Sequence, residues 1–166
     1  MITKQFVLCA FLAGLCVVSK EMLAFLPNVE LVTFLMILYS LCLDLKSVIL
    51  ISILFCFVQM MLYGVGLWTP MYFIVWPGLC LMTYCFRKVL KTEQRLSLYS
   101  GIFGLCFGFL FSIPFFMISL KMGWAYFING IVFDVIHGVS NYIIMMFLYE
   151  PSFSVFSKLT KNGFRE

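Results

Sequence analysis

The chain has 166 residues, of which 64% are hydrophobic and only 11% charged, and it carries a net charge of +4 with a mean hydropathy of +1.10. A water-soluble domain keeps roughly a quarter of its residues charged to cover its surface, so an ordinary soluble globule is excluded and lipid is the expected solvent. The basic residues stand in short runs between apolar stretches, a pattern that membrane topology accounts for without a nucleic-acid partner.

Lys4 ahead of the apolar run Phe6 to Val18 has the outline of a secretory signal. No A-x-A pattern follows it, and Leu15 precedes Cys16 where a lipoprotein signal carries Gly or Ala, so the segment is expected to stay as a first helix. A crossing takes about 20 predominantly apolar residues, and the breaks in the chain delimit six such stretches, at about 5–26, 29–43, 47–65, 71–86, 98–120 and 125–149. The first ends at Pro27-Asn28, a pair that favours a turn. The second is short for a full crossing, and is therefore tilted, broken or supplemented by the residues before it; Asp44 and Lys46 then mark water.

The third stretch stops at Gly64-Val65-Gly66, and Leu67-Trp68-Thr69-Pro70 completes a tight, uncharged external hairpin. After the fourth come Arg87, Lys88, Lys91, Glu93 and Arg95, the one strongly polar stretch. Lys121 to Trp124 are expected to turn the chain between the fifth and sixth, and a basic tail follows. The result is a single all-α integral membrane domain over residues 1–166, a bundle of six transmembrane helices without a soluble appendage. Lys4, Lys46, Arg87, Lys88, Lys91, Arg95, Lys158, Lys161 and Arg165 fall on one side, nine basic residues against the two at Lys20 and Lys121. The positive-inside rule puts the side with nine, and both termini, in the cytoplasm.

Function is sought among polar groups that lipid penalises. Asp134, His137 and Asn141 are spaced i, i+3 and i+7, so they share one face of the sixth helix; they either contact a polar ligand or form an internal pair that locks the helix to its neighbours. Glu30 follows the Pro27-Asn28 break and faces a crevice or water. Lys20 and Glu21 stand near the same end. Gln59 and Tyr63 lie one turn apart on the third helix, and Trp68, Tyr72 and Trp76 surround the next turn, as an interfacial aromatic belt or as a box for a flat heterocycle.

Small residues line two helices. Ala10 and Gly14 are four apart in the first; Gly101, Gly104 and Gly108 follow in the fifth. Such stripes let helices approach closely, within the bundle or against another membrane protein. Cys9, Cys16, Cys42, Cys56, Cys80, Cys85 and Cys106 are scattered through apolar stretches without a Cys-x-x-Cys pair and read as packing residues. No Walker loop, His-Glu-x-x-His motif or Gly-x-Ser-x-Gly elbow occurs, and no cofactor or metal is expected.

Taken together, six spans in under 200 residues, the stripe Ala10-x-x-x-Gly14 and the strings Leu26 to Thr33, Tyr63 to Trp68, Val75-Trp76-Pro77 and Gly130 to His137 resemble the substrate-binding membrane subunits, or S components, of energy-coupling factor transporters. The resemblance implies uptake of a vitamin or related micronutrient by a subunit that does not itself hydrolyse ATP. A transmembrane coupling protein and two cytoplasmic ATPases would be its partners in a bacterial plasma membrane. Ala10 and Gly14 would meet the coupling protein, and the loop at Trp68 would help gate the pocket. A scaffold resembling the cell-shape protein MreD and an intramembrane hydrolase using Asp134 and His137 are the alternatives.

Overall fold

The computed structural model describes residues 2–163, and the side chains of residues 3–159. Arg165 and the side chain of Lys161, two of the basic groups counted toward the cytoplasm, lie outside the described residues. Six helices follow one another: α1 (Ile2–Met22), α2 (Val32–Cys42), α3 (Leu45–Tyr63), α4 (Trp68–Phe86), α5 (Glu93–Ile118) and α6 (Leu120–Gly163). Five are long and apolar enough to cross a bilayer; α2 is not. Among the described residues the regular structure is all helical, and five helices of this length and apolarity are what a multi-pass membrane protein requires. Phe11, Met61, Val132 and Phe147 are all more than 60% exposed on the outside of the bundle, which suits a surface whose solvent is hydrocarbon.

With 11 residues, α2 reaches only about 16 Å at 1.5 Å per residue. It is nonetheless the most enclosed element. Eight of its residues are buried, and it touches all five other helices. Protein rather than lipid surrounds it, so it need not match the bilayer. Residues 23–31 between α1 and α2 are irregular, a state tolerated at membrane depth only where the backbone finds partners in protein. Asn28 takes a left-handed backbone with φ of 56°, its Nδ2 donates to Phe133 O at 3.1 Å, and its carbonyl accepts from Ser140 Oγ at 3.2 Å.

Side-chain bonds fix the directions of the first helices. Gln5 Nε2 donates to Ser47 Oγ at 2.9 Å, and at the other end of the same two helices Tyr63 Oη donates to Glu21 at 2.6 Å. Thus α1 and α3 run parallel, with residues 23–44 returning between them. The remaining helices pair antiparallel in sequence order: Phe57 meets Phe73, Trp76 meets Phe103, and Phe109 meets Phe127. The α5–α6 hairpin is the closest of these. A Cβ on Gly104 would stand 2.8 Å from the backbone of Gly138.

Several boundaries move from their sequence positions for local reasons. Asp44 caps α3 through Ser47 N at 3.1 Å, and Thr92 caps α5 through Arg95 N, drawing Glu93 and Arg95 into the helix. The turn expected at Lys121 to Trp124 is instead confined to Ser119, whose extended backbone ends α5 and whose Oγ accepts from Met122 N at 3.1 Å. One serine therefore serves both helix ends. The expected loop at Trp68 is the first turn of α4, because Thr69 bonds back to Gly66 through both its N and Oγ1, and Pro70 falls where a helix needs no N–H. Finally, α6 continues through Pro151, and its distal part packs on α2, with the Phe156 ring 5.3 Å from that of Tyr39.

Candidate functional site

Where α3 ends and α4 begins, the bundle holds a cavity of about 840 Å³, with a smaller one of about 360 Å³ beside it. Lys20, Asn28, Tyr63, Tyr72 and Phe107 line both. The larger is the size that drug-like ligands and cofactors occupy.

Its apolar wall comes from α4 and α5, with Tyr126 and Phe133 of α6 completing it. On α4, Trp68 and Tyr72 meet edge to face at 4.8 Å, and Tyr72 meets Trp76, which lines only the smaller cavity, at 6.0 Å. Facing them on α5, Phe103, Phe107 and Phe111 rise one turn apart; Phe107 and Phe111 stack at 4.4 Å and line the cavity, while Phe103 lines neither. Tyr72 to Phe111 and Trp76 to Phe107, at 5.6 and 5.7 Å, close the wall between the helices. The four-residue spacing that places rings on one helix face is present in both. Only the α4 set is singled out by its residue types; the α5 set, with Phe115 and Tyr126 stacked farther along, is what sequence reasoning missed. Its signal, Phe at 103, 107, 111 and 115, stands among twenty phenylalanines.

The polar wall combines α1, α3 and α6. Glu21 collects three groups: Tyr63 Oη, Gln59 Nε2 at 3.4 Å, and Lys20 Nζ at 3.5 Å. Lys20 also lies 4.5 Å above the Tyr63 ring. With α6 starting at Leu120, Asp134 is about 21 Å down its helix, yet it lines the larger cavity. Its Oδ1 accepts from Gly108 N at 2.9 Å, and its Oδ2 is buried without a partner. A Cβ at Gly108 would collide with this carboxylate, so glycine there is what lets the acid reach the α5 backbone.

The smaller cavity contains a second acidic centre. Both Glu30 oxygens accept from Thr33 N at 3.0 to 3.1 Å, Thr33 Oγ1 adds a short bond, and His137 Nε2 lies 3.1 Å from Oε1. Glu30 thereby caps α2 while tying it to α6. The crevice expected for Glu30 is this cavity, which Trp76 and His137 also line.

Asp134, His137 and Asn141 do share the inward face of α6, at 5%, 3% and 1% exposure, but they part company there. Asp134 reaches α5 and His137 reaches Glu30, and no hydrogen bond joins the two among the described residues. Asn141 is buried and lines neither cavity, and neither of its amide atoms has a partner. Gln59, Tyr63, Trp68, Tyr72 and Asp134 converge on the larger cavity; Glu30, Trp76 and His137 on the smaller.

Ala10 and Gly14 stand apart from all of this. Both face outward, and a Cβ on Gly14 would meet nothing within 4 Å. Of the cysteines, Cys9, Cys16, Cys56 and Cys80 are buried in the core, Cys42 is half-buried, and Cys85 and Cys106 are exposed. No family model matches the chain, and no curated protein or solved structure matches it either.

Proposed function

We propose that the chain is the substrate-capture subunit of an importer of the energy-coupling factor type, binding a vitamin or related micronutrient in the larger cavity. The observation that carries this reading is the cavity itself: about 840 Å³, walled by aromatic rings and lined as well by Lys20, Gln59, Asn129 and Asp134. A scaffold has no need of such a space. Asp134 and His137 turn to different partners, which leaves the hydrolase reading without an acid and base acting on one site.

In this proposal the chain crosses the bilayer six times. The parallel course of α1 and α3 supports a return crossing between them, made by residues 23–31 together with α2. The segregation of basic residues, nine against two, supports cytoplasmic termini in a bacterial plasma membrane. The cavity lies beside Lys20, at the basic-poor end, and so opens outward to receive its ligand. Energy comes from elsewhere: a transmembrane coupling protein meets the outward face of α1 at Ala10 and Gly14, and two cytoplasmic ATPases drive it. Trp68, fixed in the first turn of α4, forms part of the binding wall.

The test is calorimetric and thermal-shift titration of the purified protein against B vitamins, queuosine precursors and related micronutrients. Saturable binding of one compound, weakened at least tenfold by Trp68→Ala, is the expected result. Silence across the whole panel, from protein that remains folded and monodisperse, counts against capture and in favour of a scaffold.

A further inference from the structure

Opposite the cavities, the bundle ends in positive charge that the chain does not neutralise. The antiparallel course of α3, α4 and α5 brings Lys46, Arg87, Lys88, Lys91 and Arg95 to this end. The bond from Gln5 to Ser47 adds Lys4, and the contact of Phe156 with Tyr39 adds Lys158. All seven are exposed, against three acids, Asp44, Glu93 and Glu150. Among the described residues no acid lies within ion-pairing distance of any of them; the ion pairs, Lys20 with Glu21 and His137 with Glu30, are at the cavity end. Asp44 is taken up by Ser47 and Gln5 instead.

Part of this charge is held in place. The Arg87 guanidinium stacks 4.0 Å above the Tyr84 ring, and Arg95 Nη1 donates to Val89 O at 3.0 Å. Between them Leu90 is buried in the core, which folds the α4–α5 link back beneath the bundle. A guanidinium has five N–H donors, so each arginine keeps some for a phosphate.

Exposed apolar groups are interleaved with these charges. Phe86 lies one turn beyond the exposed Met82, and Val89 beside Lys88 is also exposed. At about 66 Å, α6 is roughly twice as long as the hydrocarbon is thick; on its last turns Val155 and Leu159, both more than 60% exposed, share a face beside Lys158. Water alone does not favour these apolar groups, nor hydrocarbon the lysines; the boundary between headgroups and acyl chains suits both.

We propose that this end of the bundle binds the headgroups of anionic phospholipids. The basic side chains engage the phosphates, and Phe86, Val89, Val155 and Leu159 enter the acyl boundary next to them. Continuity with the apolar outer surface of α4 favours lipid over a soluble acidic protein. The surface is remote from the cavities, so it stands whether or not they capture a ligand.

The test compares spin-labelled phosphatidylglycerol with spin-labelled phosphatidylcholine around the full chain in phosphatidylcholine bilayers. The motionally restricted fraction of each gives its relative association. Phosphatidylglycerol is expected to be preferred at least about threefold at low salt, because basic residues near the surface attract anionic headgroups. The preference should approach unity at about 1 M salt, where the Debye length is about 3 Å. Combining Lys88→Gln, Lys91→Gln and Lys158→Gln should remove at least half of it, whereas Lys121→Gln at the cavity end should leave it intact. Unfolding midpoints confirm that both variants are folded. Equal association of the two lipids with wild type overturns the inference, as does a preference kept in full by the triple variant or at high salt. A protein indifferent to phosphatidylglycerol but retained on immobilised poly-glutamate overturns it too, and puts an acidic protein at this end instead.

Discussion

In α5, Gly101, Gly104 and Gly108 face α6; in α1, Ala10 and Gly14 face away from the bundle. The two stripes have similar spacing and composition, yet one is filled by α6 and the other by nothing among the described residues. At Gly104 an added Cβ would lie 2.8 Å from Gly138 N and Cα and from His137 C, all main-chain atoms. At Gly14 it would meet no atom within 4 Å. What separates the stripes is the partner. Gly138 stands opposite Gly104 and lets two backbones touch, whereas α1 turns Cys9, Leu12, Ala13 and Cys16 inward and leaves Ala10 and Gly14 to the outside.

Gly104→Ala should have the largest effect on the fold. Alanine gains about 1 kcal/mol of helix propensity over glycine, but overpacking commonly costs about 1–3 kcal/mol, and here no flexible side chain is available to yield. The helices must separate. A fall in the thermal unfolding midpoint in detergent is expected, and an unchanged or higher midpoint would mean the α5–α6 contact is slack. One turn on, Gly108→Ala meets the end of the Asp134 side chain, which can turn away only by giving up its bond to Gly108 N, a loss of about 1–3 kcal/mol for a buried polar group. Its midpoint should fall as well. Its ligand affinity should fall more than that of Gly104→Ala, since Asp134 leaves its position on the cavity wall, and calorimetry on the two variants side by side would separate a packing glycine from one that makes room for the site.

This contrast marks how far the sequence could be read. The shared face of Asp134, His137 and Asn141 follows from helical spacing, and its burial follows from their polarity in an apolar chain. Which groups those residues would meet does not follow. His137 finds Glu30 across 107 positions, and Asp134 finds a backbone N–H exposed by a glycine, neither of which leaves a local pattern. The enclosure of α2 is equally invisible, because an 11-residue apolar run looks like an incomplete span until five helices are seen around it. The Phe103, Phe107 and Phe111 ladder was legible in principle. In a chain this rich in phenylalanine, a four-residue repeat carries little contrast until the opposing Trp68, Tyr72 and Trp76 ladder gives it a direction. Boundaries shifted wherever one side chain captured a helix end, as Ser119 and Thr69 do.

The smallest expected effect on the fold is at Gly14, and for that reason it tests the proposed assembly most cleanly. Gly14→Leu places a side chain where no described atom lies within 4 Å of the new Cβ, so the midpoint should not fall, the gain in helix propensity over glycine being the one change expected. Ligand affinity should not move either, because α1 contributes to the cavity only near its far end, at Lys20. In the proposed transporter the same leucine would stand between α1 and the coupling protein, at a stripe where close approach depends on small side chains. Co-purification with the coupling protein and ATPases should then fall sharply, while the isolated subunit behaves as wild type. A variant that still assembles would place the docking surface elsewhere on the bundle and leave Ala10 and Gly14 as lipid-facing residues, making the α5 stripe the only one of the two that brings helices together.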